Sequence, residues 1–160
     1  KWVTDITEFK AKDGGKVYLS PILDLFNNEI VAFNLSYSPN WAQVESMLNM
    51  AGKRLNKVEG LILHSDQGWQ YQHQAYHQFL EAKGIIPSMS RKGNSPDNGM
   101  IESFFGILKS EMFYGYEKSY QSLDELEKAI TNYIVYYNNK RIKTKLKGLS
   151  PVQYRTKSLQ

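Results

Sequence analysis

Three carboxylates stand where a side chain can do chemistry as well as face water. Asp5 lies in the middle of Trp2-Val3-Thr4-Asp5-Ile6-Thr7, among apolar and β-branched residues. A carboxylate buried there is costly unless it is paired or holds a cation; on a half-exposed strand it would simply point to solvent. Asp66 closes Leu61-Ile62-Leu63-His64-Ser65-Asp66. The carboxyl end of a buried strand is a usual place for a site in an α/β fold, and a plain turn aspartate fits the same position. Gly68 is read as allowing a sharp turn after it. Glu102 follows Asp66 with 35 residues between them and falls in the first turn of a helix, where the helix dipole favours an anion. Its helical stripe continues through Gly106 to Lys109, leaving room beside the acid for something large and anionic.

The elements that must position these acids are legible from periodicity. Residues 2–9, 16–25 and 30–37 alternate and are rich in β-branched and aromatic types. With turn signals at Asp13-Gly14-Gly15 and Asn27-Asn28, they predict an antiparallel three-stranded meander. Asp24 and Asp13 are read as ordinary turn residues. Residues 41–54 switch to a helical period, with Trp41, Val44, Met47, Leu48 and Ala51 on one face. A short apolar strand is expected over 59–65, a helix over 71–83 stopped by Gly84, and an edge strand over 85–89 containing Pro87. The polar run 90–98 predicts a loop, and Ser95-Pro96 a helix start. Helices follow over 99–114 and about 123–138, the latter capped by Ser122, and Ser150-Pro151 opens a last helical turn. Three strands and then alternating helices and strands give a mixed sheet flanked by helices, an α/β architecture.

The length of 160 residues suits one domain. The chain opens on Lys1, directly in a strand pattern, so we expect a piece of a longer protein. No run of residues approaches the ~20 apolar positions of a membrane-spanning helix, and no signal peptide is visible. There is no cysteine, which excludes disulfides, thiolate metal ligands and cysteine nucleophiles and fits a reducing cytoplasm, the expected location. The charge is uneven: residues 1–80 hold 7 basic and 8 acidic side chains, residues 81–160 hold 13 and 8. From Lys140 to Lys157 there are seven basic residues and no acidic one, a pattern of polyanion-binding faces and equally of solvated tails.

The strings Trp2-Val3-Thr4-Asp5-Ile6-Thr7, His64-Ser65-Asp66-Gln67-Gly68-Trp69-Gln70-Tyr71 and Ser95-Pro96-Asp97-Asn98-Gly99-Met100-Ile101-Glu102-Ser103-Phe104-Phe105 resemble the integrase catalytic core of bacterial insertion-sequence transposases. This group belongs with the DDE transposases and retroviral integrases. Tyr137-Asn138-Asn139-Lys140-Arg141 followed by Leu149-Ser150-Pro151 matches the end of that family, and the likeness covers nearly the whole chain. Many relatives carry a histidine where this chain reads Ile142-Lys143-Thr144-Lys145.

The resemblance implies a ribonuclease-H-like fold with a five-stranded mixed sheet between helices, over one catalytic core spanning residues 1–160. It also implies an upstream helix-turn-helix region outside this chain. Asp5, Asp66 and Glu102 would be the catalytic and metal-holding set, with Asp5 bridging two Mg2+ or Mn2+ ions. Two such cations about 4 Å apart stabilise the attacking and leaving oxygens of a phosphodiester displacement. Water would then be the nucleophile for nicking, and a DNA 3′-hydroxyl for strand transfer. The expected partners are DNA, both transposon ends and target, and further copies of the chain assembled on it; no membrane partner is expected. Lys109, Arg91, Lys92, His64, Arg141, Lys143 and Lys145 are the candidate DNA contacts, and Asn98 is read as a helix cap or a substrate contact. The competing function is a non-catalytic DNA-binding or oligomerisation module derived from such an enzyme, which metal-dependent nicking would tell apart.

Overall fold

The computed structural model describes residues 1–54, 60–90 and 98–159. The strands are β1 (Trp2–Thr4), β2 (Thr7–Lys10), β3 (Lys16–Asp24), β4 (Ile30–Ser36), β5 (Ile62–Ser65) and β6 (Ile86–Met89). The helices are α1 (Trp41–Arg54), α2 (Trp69–Gln72), α3 (Gln74–Lys83), α4 (Gly99–Met112), α5 (Leu123–Asn139) and α6 (Pro151–Ser158), with short 3-10 turns at Glu117–Ser119 and Thr144–Leu146.

The single strand expected over 2–9 is broken in two at Asp5 and Ile6. Its halves keep one antiparallel register against β3: Trp2 faces Asp24, Thr4 faces Ile22, Thr7 faces Leu19 and Lys10 faces Lys16. Continuing that register sets Pro21 opposite Asp5. The N–H of Leu25 donates to the carbonyl of Lys1, and alternation down the ladder makes Asp5 and Pro21 another hydrogen-bonding pair. Proline has no N–H to give, so the ladder loses a donor at the acid. The Pro21 carbonyl accepts from Thr4 Oγ1 instead, at 2.7 Å.

β3 and β4 pair antiparallel, while β1 pairs β5 and β5 pairs β6 in parallel. The sheet is therefore five strands wide, with β1 and β2 sharing the middle lane, which agrees with the expected mixed sheet. Alternation sends Trp2 and Ile22 to one face, where α1 and α3 cover them with Val44, Met47, Leu48, Tyr76 and Leu80. Val3, Phe9, Leu19 and Leu23 go to the other face, under Ile101, Phe104 and Leu108 of α4 and Ile130, Ile134 and Tyr137 of α5. Both helical stripes are the ones that the 3.6-residue period picks out. The Ser122 side chain caps α5 by accepting from Glu125 N–H at 3.1 Å, and Ser150 with Gln153 forms a capping box on α6.

The helix expected over 71–83 is instead two, parted at His73, whose extended backbone ends α2 and whose ring accepts from Ala75 N–H to start α3. The terminal Tyr-Asn motif is structural in its contacts. Tyr137 donates to the carbonyl of Asn28 at 2.7 Å, and the Asn138 amide exchanges two 2.9 Å hydrogen bonds with the backbone of Ile30. These fasten α5 to the start of β4. Among the described residues no helix is long and apolar enough to cross a membrane.

Candidate active site

Asp5 and Asp66 are brought together by strand register. Trp2 lies beside Leu63 and Val3 beside His64 on parallel β5; two residues further along both strands, Asp5 stands beside Asp66. Both lie just past the ends of β1 and β5. Each carboxylate is also anchored locally. Asp5 Oδ1 accepts from its neighbour Ile6 N–H at 2.8 Å, and Asp66 Oδ1 accepts from Gly68 N–H at 2.8 Å. Both line an open depression whose rim includes Tyr18, Pro39, Gln70 and Tyr71.

Burial, and then the charge of Asp66, push the Asp5 carboxyl up to about 6 from an ordinary 3.8; the Ile6 N–H opposes the rise and the charge of Glu102 adds to it. The folded chain thus binds this proton more tightly than the unfolded chain does. The resulting penalty is absent below about pH 4 and full above about pH 6, on the order of 2–3 kcal/mol. Asp5→Asn, without added divalent cation, should therefore be the more stable protein at pH 7.5, and its advantage should vanish as the pH falls toward 4. Urea denaturation across that range checks this, and a difference independent of pH would contradict it.

Gly68 has a different role from the one its sequence position suggests. Its φ of −55° is open to any residue, so no sharp turn demands glycine. A Cβ there would sit 2.9 Å from Asp66 Oδ1 and 2.9 Å from Gln70 Oε1. Glycine lets the backbone lie against the carboxylate without displacing either side-chain oxygen. Tyr71 is buried beside the site; the sequence reading placed it in the motif but gave it no role, because nothing in its glutamine-rich surroundings shows that it is buried. Burial, and then the charge of Asp5, hold its hydroxyl well above the ordinary tyrosine range. Pro21 was equally invisible, since its effect depends on which strand position it faces.

Glu102 lies near enough for its charge to raise the Asp5 carboxyl. Among the described residues no three His, Cys, Asp or Glu side chains converge closely enough to hold a metal ion. Ile101, Phe104, Phe105 and Leu108 are buried and fix the rotation of α4, leaving Glu102 exposed in the first turn. Asn98 makes no capping bond to α4. Its Nδ2 donates to Ser90 Oγ at 3.2 Å, and Ser90 N–H donates to the Ser65 carbonyl at 3.0 Å, which ties the start of α4 to the strand that carries Asp66.

The cationic candidates divide sharply. Lys109 Nζ donates to the Glu8 carbonyl at 2.9 Å and lies 5.1 Å from the centre of the Phe9 ring, half-buried on the edge of β2 that β5 leaves open. His64 is 3% exposed and shares a 2.9 Å hydrogen bond with Ser88 on β6, so it is not presented to a polyanion. Arg141 forks onto Glu111 with contacts of 2.6–3.1 Å. Lys143 lies over the Tyr137 ring, 5.3 Å from its centre, and burial pulls its pKa down. Lys145 is exposed. Arg91 and Lys92 lie outside the described residues.

The comparisons agree with this geometry at the level of family and fold. Residues 1–95 and residues 102–159 each match a family model described as an integrase core domain. An uncharacterized transposase-like protein of Haemophilus influenzae is 57% identical over 99% of this chain, which spans 72% of that relative. A putative transposase for insertion sequence element IS150 of Escherichia coli is 54% identical, and there the chain spans only 55% of the relative's length. The HTLV-2 integrase catalytic core domain in complex with magnesium superposes with a TM-score of 0.75 at 21% identity, covering 96% of this chain and 93% of that one. A simian T-cell lymphotropic virus intasome chain superposes at 0.81 and 20% identity, over 96% of this chain and 52% of its own. At such identities the likeness carries the fold, the ribonuclease-H-like mixed sheet between helices. With the family models and the two bacterial relatives, it places this chain in the integrase core domain family, as the core of a bacterial insertion-sequence transposase.

Proposed function

We propose that the chain is a divalent-metal-dependent polynucleotidyl transferase core that nicks DNA and transfers strands at transposon ends. The observation that carries this reading is the Asp5–Asp66 pair, two carboxylates side by side just past the ends of adjacent parallel strands, where burial and the charge of Asp66 push the Asp5 carboxyl up. Such a pair fits a hard cation: its donors are all oxygen, as Mg2+ and Mn2+ require, and a cation would relieve the repulsion that burial intensifies. Asp5 and Asp66 would hold the metal, with Glu102 in the first turn of α4 as the third ligand. When bound, the cations stabilise the entering and leaving oxygens of an in-line phosphodiester displacement. The chain's own part is placement. Gly68 keeps the Asp66 carboxylate bound to backbone, the Ile6 N–H orients Asp5, and the open depression beside them leaves the acids accessible to a DNA backbone.

The test is nicking of supercoiled plasmid and strand transfer of an end-sequence oligonucleotide by the full-length protein, with and without Mg2+ or Mn2+. Cation-dependent products support the proposal; DNA binding with no products in either metal would overturn it. A second reading is a non-catalytic DNA-binding or oligomerisation module, which the same absence of products would support.

DNA contact by the basic segment 140–157 is narrower than its composition suggests. Arg141 and Arg155 are held in ion pairs and Lys143 is half-buried. The exposed cations are Lys140, Lys145, Lys147 and Lys157. Neutralising Lys143, Lys145 and Lys147 together should weaken binding to end DNA and to unrelated DNA about equally. It should flatten the dependence of log affinity on log salt by about 0.9 for each phosphate that is no longer neutralised. Lys143 alone should contribute least. An unchanged salt slope in the triple variant would move the DNA surface to Lys109, Arg91 and Lys92.

A further inference from the structure

The chain has three tryptophans, and they are treated differently. Trp2 is 2% exposed in the core, and Trp41 stacks on His73 with ring centres 5.6 Å apart and planes 5° from parallel. Trp69 is 58% exposed, and among the described residues no aromatic ring packs against it. Leaving so large an apolar ring in water forfeits the stabilisation that burial gives.

Its position is anchored. Trp69 is the first residue of α2, three residues beyond Asp66, so at most about 10 Å of chain separates the two backbones. The turn between them is held at each step. Gly68 N–H binds the Asp66 carboxylate at 2.8 Å, Tyr71 N–H binds the Gly68 carbonyl at 3.0 Å, and Gln70 Nε2 binds the Pro39 carbonyl at 3.2 Å. Gly68 and Gln70, on either side of Trp69, both line the depression that holds the acid pair. The exposed indole is thus carried on a hydrogen-bonded turn whose neighbouring residues line that depression.

We propose that Trp69 is a stacking platform for an unpaired nucleobase of the DNA whose backbone lies at the Asp5–Asp66 pair. This rests on the reading of that pair as a phosphodiester site. A nucleobase is the occupant whose chemistry fits: it is flat, has a π-face in every sequence context, and stacks on aromatic side chains.

The probe is a DNA duplex with a short single-stranded tail carrying 2-aminopurine, titrated with the full-length protein. Binding of the wild type should quench the probe, and Trp69→Ala should remove the quenching. The alanine variant should also lose about 5- to 150-fold in affinity for tailed duplex, the equivalent of about 1–3 kcal/mol. Trp69→Phe should keep most of both, and Trp69→Leu should behave as alanine does, because stacking needs a ring. Since Trp69 is exposed, all three variants should melt like the wild type.

Leucine performing as well as phenylalanine would overturn the proposal in favour of an apolar wedge between paired bases. Equal quenching by wild type and Trp69→Ala would overturn it, as would a wild type that binds no tailed duplex. So would loss of self-association in Trp69→Ala with DNA binding intact, which would make the residue a protein interface. Quenching needs no cleavage, so the two readings fail separately. Trp69-dependent quenching without cation-dependent nicking counts against catalysis alone, and nicking without such quenching counts against stacking alone.

Discussion

Asp5→Asn in the full-length protein should lower Mg2+-dependent nicking and strand transfer together by about a thousandfold or more, while the fold persists. The asparagine keeps an Oδ1 to accept the Ile6 N–H, so the local backbone at the β1–β2 break retains its bond. What disappears is the charge. A neutral amide is a poor ligand for a hard cation, and losing one anchor removes several kcal/mol of transition-state stabilisation, each ~1.36 kcal/mol being tenfold in rate. Asp13→Asn is the matched control. Asp13 accepts only from Gly15 N–H in an exposed turn at 2.9 Å, and its variant should nick as the wild type does. Plasmid nicking alongside a thermal melt measures both arms. Near-wild-type activity of a folded Asp5→Asn protein would remove Asp5 from the proposed mechanism.

Arg155→Ala should lower stability by about 3 kcal/mol, with a fall in Tm of about 6–12 °C. Arg155 reaches from α6 into the turn between β3 and β4. Its Nε binds Glu29 Oε1 at 3.1 Å, and its Nη2 binds both the Asp24 carboxylate and Asn27 Oδ1. Glu29 is 1% exposed and Asp24 is 8% exposed, so removing the cation leaves buried carboxylates undercompensated, which costs more than the pair itself contributes. The loss falls at the lower end of the usual range because Arg54 still binds Glu29 at 2.6 Å. Arg155→Lys should be intermediate, since an ammonium cannot serve two carboxylates and an amide as the guanidinium fork does. Equal melting temperatures for Arg155→Ala and wild type, by calorimetry, would contradict the clamp. The result also bears on DNA binding, because a cation spent on the fold is unavailable to phosphate.

Periodicity made most elements legible because it reports which face of a local segment is buried. The stripes of α4 and α5, the Ser122 and Ser150 caps and the order of strands needed nothing beyond a few consecutive residues. Asp5 and Asp66 stood out for the same reason, as acids set into apolar runs where burial demands a partner. Which partner was a matter for tertiary structure. The pairing of β1 with β5 sets Asp5 beside Asp66 across 61 positions of chain, and the strand break opposite Pro21 exists only in the β3 register. The seating of α4 leaves Glu102 exposed in its first turn, with its charge acting on Asp5.

Charge pairing was the least readable of all. Lys140 to Lys157 presents seven like charges in sequence, yet Arg141 belongs to Glu111 and Arg155 to Asp24 and Glu29, the last two more than 120 residues away. A cation's sequence neighbours state only its charge. Whether that charge faces water, DNA or a buried carboxylate depends on which distant acid the packed helices bring within reach, and in this chain that was decided by the docking of α5 and α6 against the sheet.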